Sequence, residues 1–329
     1  DEHDFMIKTQ ATFKLGIEFS NWGQQGDRYI HSFGASGKDC WACDFQHFWL
    51  RGKELGFGGD FGDYCTELKA AQAEKMMGGK NSPLNYAYHL DAGKFSKFLA
   101  THGCTNLGIN HQILTIKDVV LHPDGSIEKL ISNDGQTVSA DFFIDCSGFS
   151  SRLIGKALGV GFVSKAHQLL VDHAIAMQVP YADKEKEIPP YTIATAQEAG
   201  WTWDIGLSKR RGVGYVYSAN HTSHERAEEI LRQYVGDESA GLSARCIPMQ
   251  VGYREKFWHK NCVAIGLSAG FIEPLESTGL HLIQSAIAKL LGMFPNKHFN
   301  QADIDNYNAQ LSVEMDRIRD FIILHYKVT

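Results

Sequence analysis

Past residue 260 the chain alternates apolar runs and turn residues in an order that predicts a strand, a turn and a helix. Cys262, Val263, Ala264, Ile265 and Gly266 form a run of strand length, while Ile283, Ala286, Ile287, Leu290 and Leu291 recur at helical spacing. Pro274 breaks the backbone between them, and Ser277 and Thr278 are residue types that cap helix N-termini, so the helix is expected to start there. A helix start aims free backbone N–H groups and the positive end of its dipole at the preceding turn, which favours an anion. Glu276 stands at the mouth of that turn.

Upstream the pattern predicts a short helix over 92–101, strands over 107–120 and 127–132, and a turn at Pro123-Asp124-Gly125. Asn133-Asp134-Gly135 is a hairpin signal. The segment 140–146 reads as a buried strand ending in a glycine turn at Gly148, with Arg152 just beyond. From about 175 to 251 apolar and polar residues alternate, as at Val213, Tyr215 and Tyr217, with one helix near 225–234. Gly212-Val213-Gly214 is expected to be a turn between strands. Gly56-Phe57-Gly58-Gly59-Asp60-Phe61-Gly62 lacks both the spacing and the preceding apolar strand of a nucleotide-binding Gly-x-Gly-x-x-Gly loop.

With 329 residues, 43% hydrophobic and 21% charged, the chain is an ordinary globular one with enough material for a large core. Its net charge of −6 and the lack of a basic run with interleaved aromatics argue against nucleic acid. No apolar run approaches the ~20 residues of a membrane helix, and Asp1-Glu2-His3-Asp4 is not a signal-peptide start. Seven cysteines, an odd number, read as reduced thiols and a cytoplasmic setting. Cys40-Trp41-Ala42-Cys43, with Asp39 and His47 nearby, has no second C-x-x-C, so no metal is expected.

Phe271-Ile272-Glu273-Pro274-Leu275-Glu276-Ser277-Thr278-Gly279 fills the pattern Phe-x-x-Pro-x-x-Ser-x-Gly and resembles the signature of flavin-dependent halogenases of the tryptophan-halogenase type. The segment Ala11-Thr12-Phe13-Lys14-Leu15-Gly16-Ile17-Glu18-Phe19-Ser20-Asn21-Trp22 is similar to the stretch around that family's catalytic lysine. Judged by residue type alone, Lys14 in an alternating run would be a solvent-facing strand residue; the resemblance is what gives it a catalytic role. Trp201-Thr202-Trp203-Asp204-Ile205-Gly206 is similar to the family's Trp-x-Trp-x-Ile-Pro, with Gly206 in place of proline. On residues alone it is equally a strand with two aromatics on one face. Tyr29-Ile30-His31-Ser32-Phe33-Gly34 is similar to a His-x-Phe segment whose rings flank the aromatic substrate, although a lone His and Phe are also ordinary packing residues. Phe45-Gln46-His47-Phe48-Trp49-Leu50 fits as pocket support.

The resemblance implies a mixed α/β (α+β) chain of the FAD-dependent monooxygenase-like, glutathione-reductase-like fold with a substrate-side β-sheet. It implies FAD-side elements at about 92–160 and 260–295 and substrate-side elements at about 10–90 and 170–255, all within the central part of one halogenase domain covering 1–329. The missing Gly-x-Gly-x-x-Gly unit and C-terminal region make a fragment the expectation, one that binds FAD weakly by itself. The implied chemistry uses reduced FAD from a separate flavin reductase, oxygen, and chloride or bromide to halogenate an indole or tryptophan-like ring through hypohalous acid. Lys14 and Glu276 are the implied catalytic pair, and Thr278 and Gly279 the halide-binding amides. Leu267, Leu280, Gly148 and Gly266 are expected at the flavin, and His31, Phe33 and Glu276 at the substrate. After Gly266 the wider flavin monooxygenase pattern has an aspartate, whereas this chain has Leu267 and Ser268; halogenases of this group often lack that aspartate too. An aromatic hydroxylase and an inactive remnant are the alternatives, and homodimerisation is left open.

Overall fold

The computed structural model describes residues 1–183 and 187–328. In chain order its elements run α1 (Glu2–Thr9), β1 (Thr12–Lys14), β2 (Gly16–Ser20), β3 (Arg28–Ser32), α2 (Phe45–Glu54), α3 (Thr66–Gln72), β4 (Ala87–His89) and α4 (Ala92–Asn106). Next come β5 (Ile116–Leu121), β6 (Ile127–Ser132), β7 (Thr137–Ser139), β8 (Phe143–Asp145) and β9 (Phe162–Ser164). β10 (His173–Pro180), β11 (Tyr191–Gln197), β12 (Gly200–Gly206), β13 (Arg210–Tyr217), α5 (His224–Val235) and β14 (Arg245–Pro248) follow. The last stretch holds β15 (Gly252–Arg254), β16 (Trp258–His259), β17 (Cys262–Ala264), β18 (Gly270–Phe271), α6 (Thr278–Gly292) and α7 (Gln301–Val328). Two units result: Asp1–His111 with Ala174–Ile247, and Gln112–His173 with the chain from Pro248 onward.

The first unit is built on a seven-stranded sheet in the order β14-β10-β13-β12-β11-β2-β3. The alternation along β13 turns Val213, Tyr215 and Tyr217 to one face, where Ala227, Ile230, Leu231 and Val235 of α5 close a core with Ile175, Met177 and Val179. Each Val, Leu, Ile or Met side chain among them contributes roughly 1.5–3 kcal/mol on full burial. Helix α5 starts where Ser223 accepts the Arg226 N–H at 3.1 Å, close to the expected boundary.

The opposite face carries a cross-strand row, Tyr29, Phe19, Ala194, Trp203 and Gly214, set by the strand registers. From Phe19 onward large and small residues alternate along it. Tyr29 stacks on Phe19 at 5.0 Å, and the Trp203 ring lies over Gly214, where a Cβ atom would fall 2.1 Å from Trp203 Cζ2. Gly212 and Gly214 are therefore inside β13, not in the expected turn. Glycine serves here to admit an indole ring from the neighbouring strand. Gly214→Ala is expected to cost ~1–3 kcal/mol through overpacking, read as a lower urea midpoint, with most of the loss recovered when Trp203→Leu is added. An unchanged midpoint for the single variant would refute this packing account.

Trp201 and Trp203 do share one face of β12, their centroids 6.3 Å apart, and Trp22 approaches Trp201 at the same distance. At the motif's departure from the family pattern, a Cβ on Gly206 would sit 2.5 Å from Ile188 Cγ2, and the Gly206 carbonyl accepts the Thr12 hydroxyl at 2.5 Å. Proline at this position would require the Ile188 methyl to move.

The second unit contains three three-stranded sheets, β18-β15-β9, β16-β17-β8 and β5-β6-β7. The turn and hairpin signals hold: Asp124 accepts the Ser126 N–H at 2.9 Å beside Gly125 at φ 84°, and Gly135 adopts φ 83°. The strand expected from 107 begins only at Ile116. Helix α4 runs on to Asn106, and the Ile109 N–H returns to the Gly103 carbonyl at 3.1 Å, which keeps the following residues out of the ladder. Helix α7 is anchored by Tyr307, whose ring meets Trp258 edge-on at 5.6 Å, and by Asn308, whose Oδ1 accepts the N–H groups of Phe257 and Trp258 at 2.8 Å each. Among the described residues no helix is long and apolar enough to cross a membrane.

Candidate active site

In the first unit, β1 pairs antiparallel with β4, matching Thr12 to His89, Phe13 to Tyr88 and Lys14 to Ala87. This pairing buries Lys14 to 5% exposure, against the solvent-facing position its residue type suggests. Leu15, between β1 and β2, accepts the Phe33 N–H at 2.8 Å, and that link carries the Phe33 ring to 5.4 Å from the Lys14 ammonium. A cation over an aromatic face is electrostatically favourable. His31 lies exposed on β3, opposite Ile17. The Phe45–Leu50 segment, expected as pocket support, lies in α2 and forms its own aromatic cluster, with Phe45 against Tyr64 and Trp49 against Phe61. Cys40 and Cys43 are free thiols, and burial pushes the Cys43 thiol up, away from the thiolate that redox chemistry needs.

Beside Lys14, His89 is a buried neutral imidazole held between Thr192 Oγ1 at 2.9 Å and Thr12 Oγ1 at 3.3 Å. Burial first, and the Lys14 charge second, lower it from its ordinary 6.5 to about 3. The unfolded chain takes up a proton at His89 below pH 6.5 that the folded chain refuses. Stability is therefore fully present above pH 6.5 and is lost as the pH falls toward 3. Between pH 6.5 and 5 the loss from this group is expected to be about 2 kcal/mol. Denaturant titrations of the wild type and His89→Gln at several pH values measure it, and equal slopes in that window would count against it.

In the second unit the strand-turn-helix expected near residue 274 is present, with an altered cap. Glu276 (φ 56°, ψ 17°) and Ser277 (φ 58°, ψ 27°) are consecutive left-handed residues just before α6. Two such non-glycine residues carry strain of order 1–3 kcal/mol each, held in place by their surroundings. Neither expected cap hydroxyl caps the helix. Ser277 makes no side-chain cap bond, and the Thr278 hydroxyl donates back to the Glu273 carbonyl at 2.7 Å. Helix α6 buries Thr278, Leu282, Ala286 and Leu290 and leaves Leu280, Ile287 and Leu291 exposed.

The glycine turns after β8 and β17 meet because those two strands run parallel and side by side. Gly148 at φ 68° and Gly266 at φ 73° open them. The Ser268 hydroxyl donates to the Asp145 carbonyl, and Ser151 Oγ donates to the Ser268 carbonyl at 3.2 Å, tying one turn to the other. Gly266, Leu267, Gly279, Leu282 and Ile283 line a cavity of about 90 Å³. Leu267 is 43% and Leu280 60% exposed, and no atom lies within 4 Å of a Cβ built on Gly148 or Gly279. Bare glycine backbone, exposed leucines and a helix start with free N–H groups suit a flat apolar ring and a small anion. A wider recess of about 960 Å³, lined by residues such as His122, Lys256, Lys260 and Lys297, includes none of the expected site residues.

Sequence reasoning missed His325. It lies on α7, four residues after Phe321, with side chains of His325 and Glu276 only 12% and 8% exposed and 3.5 Å between His325 Nε2 and Glu276 Oε1. The only local signal was the Phe321/His325 pair at helical i,i+4 spacing.

Parallel strands ending in tied glycine turns, with a helix start beside them, belong to a mixed helix-and-sheet fold of the FAD-dependent monooxygenase-like class. Solved flavin-dependent halogenases share it. One from Xanthomonas campestris matches with a TM-score of 0.91 at 42% identity, over 99% of this chain and 65% of that one. One from Brevundimonas sp. BAL3 matches with a TM-score of 0.93 at 39% identity, over 100% of this chain and 68% of that one. The tryptophan halogenase family matches residues 1–329, and the chain belongs to that family. Among characterised relatives, a 7-chloro-L-tryptophan 6-halogenase of Kutzneria sp. (strain 744) is 38% identical over 99% of this chain and 67% of its own length. A tryptophan 6-halogenase of Streptomyces toxytricini is 36% identical, over 99% of this chain and 66% of its own length. The chain thus spans about two thirds of the length of these relatives.

Proposed function

We propose that the protein carrying this chain halogenates an electron-rich aromatic ring, an indole or tryptophan-like substrate, with FAD, oxygen and chloride or bromide. The observation that carries the reading is the burial of Lys14 with its ammonium against Phe33, a placement that an ordinary strand lysine does not have. The named relatives that act on tryptophan support the substrate class. Reduced FAD, delivered by a separate flavin reductase, would activate oxygen, the oxidant that turns halide into hypohalous acid. Gly148, Gly266, Leu267 and Leu280 would hold the flavin, and the amides of Thr278 and Gly279 the halide.

The chain's own side chains do the rest. Lys14 presents up to three N–H donors on a compact ammonium and holds the small oxidant by hydrogen bond. His31 and Phe33 flank the substrate ring, whose π-face suits aromatic walls. A ring C–H becomes C–halogen, the Lys14 ammonium gives the departing hypohalous oxygen the proton with which it leaves as water, and Glu276 accepts the ring proton, which solvent returns to Lys14.

The test is product mass. Purified protein, FAD, a flavin reductase, a reduced nicotinamide, oxygen and bromide are incubated with indole or tryptophan. A bromide-dependent product with the bromine isotope pattern is expected. A product that gains oxygen without halide would favour the hydroxylase and overturn the reading.

A further inference from the structure

The last turn of α7 grips both glutamates of the Phe271–Gly279 motif. The Tyr326 hydroxyl donates to Glu273 Oε1, and His325 Nε2 faces Glu276 Oε1 at 3.5 Å. On its other side the His325 Nδ1 meets the Phe321 carbonyl at 3.0 Å, and the ring stands edge-on to Phe321 with centroids 4.6 Å apart. A carbonyl can only accept, so Nδ1 carries a proton and the ring orientation is fixed from behind. The nitrogen left facing outward is Nε2, aimed at the carboxylate. From this geometry we infer that His325 is a positioning residue: it holds the Glu276 carboxylate in the orientation from which Glu276 takes the ring proton.

This inference rests on the role proposed above for Glu276. Independent support comes from the backbone. Glu276 sits at a left-handed position outside the regular helix, a conformation that persists only where the surroundings hold it. The Glu276 contact and the Phe321 carbonyl also raise the His325 imidazole above its ordinary value, the former being the larger cause, which strengthens the ion pair.

Two variants separate positioning from packing. His325→Phe keeps an aromatic ring against Phe321 and removes both N–H groups, whereas His325→Gln loses the ring and keeps a donor within reach of the carboxylate. If His325 positions Glu276, His325→Phe lowers kcat by about 10-fold or more with the substrate KM unchanged. His325→Gln then stays within about 3-fold of the wild type. Full activity in His325→Phe, or a larger loss in His325→Gln than in His325→Phe, would overturn the inference. A readout free of turnover accompanies these. The ¹⁵N shift of His325 Nε2 should move on Glu276→Gln while that of Nδ1 does not, and an unmoved Nε2 would likewise overturn it. Glu276→Gln in the turnover assay tells the two failures apart. If that variant is inactive and His325→Phe is active, only the positioning role falls; if Glu276→Gln is itself fully active, the general-base role falls with it.

Discussion

Lys14→Met is expected to lower halogenation by at least ~10²-fold and to leave the protein folded. Methionine matches the length of the lysine stem, is unbranched and suits a position that is 5% exposed, so the variant removes the charge and the N–H donors without opening a void. Loss of a donor that orients a small reactive species costs on the scale of misplaced catalytic groups, ~10² or more. Oxygen consumption in the reductase-coupled assay should persist, because oxidation at the flavin does not need this amine, and halogenated product should be missing. The fold is checked through a neighbour. The Lys14 charge is one cause of the low His89 value, so His89 should titrate higher in Lys14→Met while remaining buried. Undiminished halogenation by this variant would remove Lys14 from the mechanism.

Glu276→Gln is expected to lower turnover by ~10²–10⁴, the scale for losing a general acid/base group, with flavin affinity unchanged. Glutamine is isosteric and keeps an oxygen that can accept from His325 Nε2, so the local geometry is retained and only basicity is lost. It also has a Cβ, so the left-handed strain at φ 56° persists. Glu276→Gly, by contrast, would release roughly 1 kcal/mol of that strain and still be inactive. A more stable, inactive Glu276→Gly beside a slow, equally stable Glu276→Gln is the result that assigns the strain to function. Turnover of Glu276→Gln at the wild-type level would contradict the role.

Much of this was written locally. The turn at Asp124, the hairpin at Gly135 and the start of helix α5 depend on contacts between residues a few positions apart, and residue type specifies them. The lysine segment was recognised as a motif, yet its burial was not legible. Lys14 is covered because β1 pairs with β4, more than seventy residues later, and because Phe33 is tied to Leu15.

The same distinction explains where the sequence misled. Gly212 and Gly214 look like a turn because glycine is the common turn residue. They lie in a strand, where Gly214 leaves the space that Trp203, a residue of the adjoining strand, needs. Ser277 and Thr278 have cap chemistry, but the left-handed backbone at 276–277 redirects the Thr278 hydroxyl to Glu273. The amino-acid order by itself determined the family and the strand-turn-helix, since each is a pattern of near neighbours. Only the tertiary structure decided that Lys14 is buried and that His325, forty-nine positions along the chain, orients toward Glu276. Burial and side-chain orientation depend on which distant segments pack together, and near-neighbour patterns do not encode that.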